Sequence, residues 1–214
     1  MIRAVFFDLD NTLVDRQAAF ERYLEELGRR FPSLRLDQVR ALDDDGLAPR
    51  HTFCAAVVES CPGLGMSAGE FWDDFADGVV LAVEPRPRVT ELLSRVGRRY
   101  RLAVVSNGSG PRQRQKLARA GLAELLPDCF ISGEVGARKP DPRLFRFALS
   151  CTGLRADEVL FVGDDPARDI AGACSAGLHT CWISHGRPYP VASPRPGMSV
   201  ARVEELLEGL ERAS

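Results

Sequence analysis

The sequence predicts an α/β fold in which a parallel, doubly wound sheet is interrupted by one inserted helical subdomain. Short apolar runs of strand type alternate with stretches of helical periodicity, which is typical of a parallel sheet with helices on its faces. Most of these runs lack apolar–polar alternation, so both faces of the sheet are expected to be covered. The predicted strands are Val5–Asp8, Leu102–Ser106, Cys129–Ser132, Val159–Gly163 and His179–Ile183.

A gap in this pattern follows the first strand. From Phe20 onward apolar residues recur at helical spacing, and no confident strand returns before Leu102. We therefore predict a mostly helical subdomain over residues 15–84, inserted into a core formed by residues 1–14 and 85–214.

Prolines mark two further boundaries. Pro85-Arg86-Pro87 is a stiff segment at the predicted return to the core, and a proline-rich stretch begins at Pro188. Beyond it, a last amphipathic helix is predicted over Val200–Leu210. The helical patterns that alternate with the later strands are centred on Leu92, Leu117, Leu144 and Ile170.

Composition narrows the class of protein. Among the 214 residues, 45% are hydrophobic and 27% are charged, which is ordinary for a globular protein. A formal net charge of −2 provides no general attraction to nucleic acid or anionic lipid, so we expect a small-molecule partner, no nucleic acid and no membrane. The first apolar run reaches Asp8 too soon for a secretory signal, and a cytoplasmic location is expected. The protein is expected to be either a monomer or a homodimer, and the composition does not distinguish the two.

The first chemical motif is Asp8-Leu9-Asp10-Asn11-Thr12, at the predicted carboxyl end of the first strand. Open α/β sheets bind their ligands at this end. The motif by itself also fits an ordinary Asp/Asn turn. Two neighbouring carboxylates nevertheless repel each other unless a cation is shared or one is protonated. Mg²⁺ suits such a site because it prefers oxygen ligands and takes few of them from the protein.

Two further motifs follow later strands. Ser106 and Asn107 come directly after the second predicted strand, where a hydroxyl and backbone amides can receive phosphate oxygens. A polar strand-to-helix turn would contain the same residues. In Ala137-Arg138-Lys139-Pro140-Asp141-Pro142, Asp141 and Pro142 fit a helix N-cap and first turn. Lys139 has no such structural explanation and is either a dianion-binding charge or a solvated lysine.

The fourth motif is the aspartate cluster after the fourth predicted strand. Asp165 and Pro166 fit an N-cap and first helical residue, which explains one aspartate structurally. Asp164 at the strand end and Asp169 in the first helical turn can both face the same edge of the sheet. Negative charge near a helix N-terminus is an alternative explanation of Asp169.

Together, D-x-D-x-T after the first strand, a later Ser, a Lys before Pro and G-D-x-x-x-x-D resemble the haloacid dehalogenase superfamily of hydrolases. These motifs span Asp8 to Asp169 in the order seen in that superfamily. The resemblance implies a Rossmann-like core and makes the inserted segment a C1-type cap, which would close over the site. The cap itself contains no recognisable motif.

The resemblance implies a role for each motif residue. Asp8 would attack phosphorus to form an aspartyl-phosphate, and Asp10 would protonate the leaving alcohol and then activate water. Mg²⁺ would be bound by Asp8, the Asp10 backbone carbonyl and Asp164. Lys139 would act in catalysis and in phosphate binding. The remaining implied roles are phosphate binding for Ser106 and Asn107 and support for Thr12, Asp165 and Asp169.

The resemblance also implies a charge balance. With Asp10 protonated, three carboxylates (Asp8, Asp164 and Asp169) would face one divalent cation and Lys139. The metal would then permit a carboxylate to attack a phosphate dianion, which repulsion otherwise opposes.

With the roles that the resemblance implies, these residues predict a Mg²⁺-dependent phosphomonoesterase that acts on a small phosphorylated metabolite. Asp10 favours an alcohol leaving group, because dehalogenating members lack an aspartate two positions after the nucleophile. The alternatives are a sugar-phosphate mutase, a haloacid dehalogenase and a non-catalytic protein that binds a phosphorylated ligand. In the inserted segment, Arg50 and His51 are interpreted as solvated, and Phe71, Trp72 and Phe75 as its hydrophobic core.

Overall fold

The computed structural model describes residues 1–43, 46, 48–190 and 192–212. The chain forms two compact units, of which one comprises Met1–Asp15 and Pro85–Ser214 and the other Arg16–Glu84. In the described part of the chain, no helix combines the length and the apolar character needed to cross a bilayer.

The larger unit contains one parallel sheet of six strands. In spatial order the strands are β3, β2, β1, β4, β5 and β6. Their bounds are β1 Ala4–Phe7, β2 Arg101–Ser106, β3 Asp128–Ile131, β4 Val159–Gly163, β5 His179–Ile183 and β6 Met198–Val200. The prediction of a Rossmann-like α/β fold is confirmed. Because the order reverses on either side of β1, the crevice at the carboxyl ends of β1 and its neighbours is the expected ligand site.

The strand bounds agree with the sequence prediction to within one residue for the five apolar runs. The sixth strand was not predicted: Met198–Val200 pairs with β5, and only its last residue, Val200, falls in the predicted final helix. The final helix begins only at Leu206, after a 3₁₀ turn over Val203–Glu205. Three residues between prolines and a helix are too few to show strand periodicity.

The smaller unit is helical, with aromatic side chains at its centre. Its helices are α1 Arg16–Arg30, α2 Leu36–Asp43, α3 Arg50–Ser60 and α4 Ala68–Leu81, with a 3₁₀ turn at Pro62–Leu64. Phe75 packs against Phe20, Tyr23, Phe53 and Phe71 at ring-centroid distances of 4.9–6.2 Å.

Most of the residues singled out in this unit lie as the sequence suggested, but Trp72, interpreted as core, is only partly buried. Phe71 and Phe75 are buried in its core. Arg50 and His51 are exposed. The Arg50 guanidinium nevertheless stacks over the Trp72 ring, 4.4 Å from its centroid.

Helices cover the sheet of the larger unit. They are α5 Pro87–Val96, α6 Gly110–Arg119, α7 Ser132–Val135, α8 Pro142–Thr152, α9 Ala171–Ser175 and α10 Leu206–Arg212, with a short π-helical turn over Pro166–Ile170. Phe145 of α8 packs edge-on against Phe161 of β4 at 5.0 Å. Burial of this apolar layer holds the strand ends in fixed register, and this register positions the polar residues that follow them.

Candidate active site

The site is built on the carboxyl ends of adjacent strands. Asp8 follows β1, and its amide hydrogen bonds to Val162 O of the neighbouring β4 at 2.9 Å. Asp164 directly follows β4. Because β1 and β4 pair in parallel, with Phe7 opposite Val162, the two carboxylates emerge at the same edge of the sheet.

The π-helical turn after β4 adds the third carboxylate. Its N-cap is Asp165, whose Oδ1 accepts hydrogen bonds from the Ala167 and Arg168 amides at 2.8 and 2.9 Å. Asp169 Oδ2 accepts from the Asp165 amide at 3.1 Å. This capped turn directs Asp169 back towards the strand ends. Asp165 therefore supports the site as a helix cap.

Lys139 lies between two of these carboxylates. Its Nζ is 2.6 Å from Asp8 Oδ1 and 2.7 Å from Asp169 Oδ1, and the lysine is only 3% exposed. Burial by itself would lower the pKa of the ammonium group. The charges of Asp169 and Asp8 nevertheless raise the Lys139 pKa above its ordinary value, so the lysine is charged.

Asn107 holds the Lys139 backbone in place. Its Nδ2 donates to Lys139 O at 3.1 Å, and its Oδ1 accepts from the Lys139 amide at 2.8 Å. Both polar ends of the Asn107 side chain are therefore engaged with Lys139. A phosphate contact from Asn107 in this arrangement would come from its backbone amide, the group on which the sequence prediction rested.

Ligand oxygens of Asp8, Asp164 and Asp169 lie within 4.8 Å of one another, and all three residues are buried. Burial and, less strongly, the charge of Asp169 raise the pKa of Asp8 to about 6, although Lys139 opposes the shift. Burial and the charge of Asp8 raise the pKa of Asp164 to about 7. Burial likewise raises the pKa of Asp169.

These three residues fit a divalent cation, because they offer only oxygen donors and a bound cation would offset both the burial of their charges and their mutual repulsion. The Asp10 backbone carbonyl, which the resemblance implied as a further ligand, remains part of the expected set, and Asp169, implied there as a supporting residue, joins the carboxylate group. Arg187 also contacts this group, donating from Nη2 to Asp164 O at 2.8 Å and lying 3.3 Å from Asp164 Oδ2.

The Asp10 side chain makes a separate ion pair. Lys116 Nζ lies 2.6 Å from Asp10 Oδ1 and 2.7 Å from its Oδ2. Gln113 Nε2 donates to Asp10 Oδ2 at 3.1 Å and to Ser106 Oγ at 2.9 Å. The charge balance that the resemblance implied included neither Lys116 nor Arg187, so that balance is incomplete.

Lys116 and Gln113 received no role from the sequence. They stand in Gln113-Arg114-Gln115-Lys116, which has the polar composition of an exposed helix. The sequence contained a weak indication that both residues are buried. Lys116 is next to the apolar Leu117, and Gln113 lies one helical turn before Leu117, so both are close to the buried face of α6.

The other supporting residue, Thr12, is buried in the loop after β1. Within the described residues its Oγ1 has no hydrogen-bond partner, whereas its carbonyl accepts from Arg86 Nη1 at 3.2 Å. The contact that ties Thr12 to the core is therefore made by its backbone. The loop is also held at Asn11, whose carbonyl lies 2.7 Å from His185 Nε2.

Comparisons with known proteins agree with this geometry. A family model described as haloacid dehalogenase-like hydrolase matches residues 2–177. Phosphoserine phosphatase from Thermus thermophilus is 46% identical over 127 residues, which cover 58% of this chain and 51% of that protein. The chain thus spans about half the length of that relative.

Solved structures show the same fold. YfnB from Bacillus subtilis, determined bound to magnesium, superposes with a TM-score of 0.83 at 24% identity, covering 97% of each chain. A 2-haloacid dehalogenase from Pseudomonas syringae has a TM-score of 0.67 at 26% identity, with full coverage of both chains.

Proposed function

The chain belongs to the haloacid dehalogenase-like hydrolase family, and on that premise we propose that it is a Mg²⁺-dependent phosphomonoesterase acting on a small phosphorylated metabolite. The observation that carries the proposal is the contact of Lys139 with both Asp8 and Asp169, beside Asp164. A nucleophilic carboxylate, a buried cation and an acidic metal-binding group are thereby combined at one strand edge. The similarity to a phosphoserine phosphatase supports the same class of reaction.

In the proposed first step, an Asp8 oxygen attacks phosphorus and forms an aspartyl-phosphate. As the bond from phosphorus to the ester oxygen breaks, Asp10 gives its proton to the departing alcohol. Lys139 stays charged and keeps Asp8 oriented, and the Ser106 hydroxyl donates a hydrogen bond to a phosphate oxygen.

In the second step, water attacks the phosphorus of the aspartyl-phosphate. Asp10 takes the proton of that water, which restores its acid form, and Asp8 leaves as a carboxylate. Inorganic phosphate is released, and Asp8 and Asp10 have returned to their starting forms.

Mg²⁺ is part of this proposal through the carboxylates of Asp8, Asp164 and Asp169. When bound, it would supply positive charge that offsets repulsion between the Asp8 carboxylate and the phosphate dianion. The magnesium-bound structure of YfnB, a protein of the same fold, supports this part of the proposal.

A haloacid dehalogenase is the second candidate, because a protein of that activity shares the fold. Asp10 favours the phosphatase, since a halide ion leaves without a proton and needs no acid at this position. The ion pair of Asp10 with Lys116 and its hydrogen bond from Gln113 show a carboxylate held in a defined orientation.

The test is phosphate release from p-nitrophenyl phosphate, followed by a panel of sugar phosphates, nucleotides and phosphorylated amino acids. We expect release with Mg²⁺ and its loss after EDTA treatment. Activity that is unaffected by EDTA would refute the metal requirement. Halide release from 2-chloropropionate without phosphate release would favour the dehalogenase.

A further inference from the structure

Two polar residues on one face of α6 are buried in the site. Gln113 is 2% exposed and Lys116 is 9% exposed. Residues three positions apart on a helix lie on the same side, so the two side chains reach the strand ends together. A buried lysine is costly unless it is paired, and the partner here is Asp10.

This pair, which we term the α6 pair, holds the Asp10 carboxylate at both oxygens. Lys116 Nζ contacts Oδ1 and Oδ2 at 2.6 and 2.7 Å, and Gln113 Nε2 contacts Oδ2 at 3.1 Å. Rotating the carboxylate would break at least one of these contacts. The Asp10 side chain is 25% exposed, so it is oriented by these contacts and still accessible to a substrate.

The Gln113 amide also excludes one direction for the Ser106 hydroxyl proton. Its Nε2 contacts Asp10 Oδ2, Asn107 O at 3.1 Å and Ser106 Oγ at 2.9 Å. The carboxylate and carbonyl oxygens only accept, which requires the nitrogen of the amide on this side. An amide nitrogen accepts no hydrogen bond, so the Ser106 hydroxyl must direct its own proton to another acceptor.

We propose that Lys116 and Gln113 are positioning residues, which hold Asp10 for proton transfer to the leaving oxygen and turn the Ser106 O–H towards the substrate phosphate. The inference rests on the proposed phosphatase function. In the transfer, the proton moves from Asp10 to the ester oxygen as the P–O bond breaks. The carboxylate that Asp10 then becomes is neutralised by Lys116, which contacts both of its oxygens.

The experiment compares Lys116→Met and Gln113→Met with wild type on two substrates of similar shape, p-nitrophenyl phosphate and phenyl phosphate. Methionine approximates the length of both side chains and removes the donors. Phenolate is the poorer leaving group and depends more on an acid. Lys116→Arg serves as the conservative variant, and Arg119→Met removes an exposed cation from the same helix as a matched control.

For Lys116→Met we expect kcat on phenyl phosphate to fall about tenfold further than kcat on p-nitrophenyl phosphate, with KM changed less than about threefold. Lys116→Arg should recover part of this selective loss. For Gln113→Met we expect a smaller loss of the same kind. Its KM and its inhibition constant for inorganic phosphate should both rise about tenfold, because Ser106 loses its orientation. Arg119→Met should behave as wild type.

An equal loss on both substrates would indicate a merely structural role for Lys116 and would overturn its assignment. A gain in activity would also overturn it, since the ion pair would then restrain the acid. Unchanged phosphate inhibition in Gln113→Met would overturn the role of Gln113. If circular dichroism shows that Lys116→Met does not fold, the leaving-group comparison in Gln113→Met decides the role of the pair in holding Asp10.

Failure of this inference is distinguishable from failure of the proposed function. A wild-type protein that releases no phosphate from either substrate would refute the function itself. A wild-type protein that is active, with Asp10→Asn selectively impaired on phenyl phosphate and Lys116→Met unimpaired, would refute the positioning role alone.

Discussion

Lys139 Nζ lies 2.6 Å from Asp8 Oδ1, although 131 positions separate the two residues in the chain. The same ammonium group contacts Asp169, so one buried cation serves two buried carboxylates. Removing the shared cation leaves both carboxylates without a counter-charge, which costs far more than the net contribution of the intact group, whereas removing one carboxylate leaves Lys139 paired with the other.

We therefore expect Lys139→Met to abolish activity and to lower the free energy of unfolding by about 3 kcal/mol at slightly alkaline pH. Urea denaturation measures the second effect. The double variant Lys139→Met/Asp169→Asn removes one of the uncompensated charges, so it should recover part of the stability without recovering phosphate release. A Lys139→Met protein as stable as wild type would contradict this account.

Asp8→Asn tests the nucleophile. An amide cannot attack phosphorus, so kcat should fall by at least ~10³, whereas the fold should persist because Asn Oδ1 can still accept from Lys139. Without metal, its stability should match or exceed that of wild type, since one buried charge is lost.

Asp141→Asn is the matched control for Asp8→Asn, because Asp141 caps α8 and Asn caps a helix about equally well. It should leave both activity and stability near wild type. Substantial turnover by a folded Asp8→Asn protein would reject covalent catalysis through Asp8.

Stability without metal should depend on pH in a defined direction. The pKa of Asp8 is raised from 3.8 to about 6 and that of Asp164 from 3.8 to about 7, so between about pH 4 and 7 the folded state binds protons that the unfolded state has lost. Raising the pH through this window must therefore lower the free energy of unfolding. Each unit of such a shift corresponds to about 1.4 kcal/mol.

The measurement is Tm in EDTA and in Mg²⁺ at about pH 5 and about pH 8. In EDTA the protein should be less stable at the higher pH, and Mg²⁺ should stabilise it most there, because the cation binds the ionised carboxylates. Asp164→Asn removes one titrating group and should weaken the dependence. A larger effect of Mg²⁺ at pH 5 would show that the carboxylates do not titrate in this way.

Gly163 provides a steric test of the same cluster. A Cβ atom at this strand end would lie 2.6 Å from Asp169 Cγ and would also collide with its carboxylate. Asp169 is held by Lys139 and by the Asp165 amide, so it cannot yield without losing those contacts. We expect Gly163→Ala to lose about 1 to 3 kcal/mol of stability and most of its activity.

Gly69→Ala makes the same chemical change in α4, where the nearest atom to the added Cβ is Ser67 Oγ at 4.0 Å. It should be neutral or slightly stabilising in thermal unfolding, since alanine favours a helix over glycine. Equal stability of the two alanine variants would show that the strand end tolerates the extra atom.

Much of the fold was readable from local sequence. Buried parallel strands are short apolar runs, and β1, β2, β4 and β5 were predicted because burial on both faces disfavours polar residues. The edge strand β3 is mostly half-buried and was predicted from its short apolar run. β6 was missed, since Met198–Val200 is too short to have a pattern and becomes a strand only by pairing with β5.

The candidate site likewise contains residues that the sequence predicted and residues that it did not. Asp8, Ser106 and Asp164 stand at strand ends, so a sheet of known direction brings them to one edge, and the sequence predicted that placement. Lys116 and Gln113 could not be identified, because their segment is polar and helical, and the side chains on such a segment are ordinarily solvated.

The sequence by itself determined the parallel core, the inserted helical segment and the set of acidic residues with Lys139, because strand burial and motif spacing are local properties. Only the tertiary structure decided which cation each carboxylate contacts: Lys139 for Asp8 and Asp169, and Lys116 for Asp10. The physical reason is that ion pairing depends on distances of a few ångströms between residues far apart in the chain. Those distances are determined by how the helices pack on the sheet.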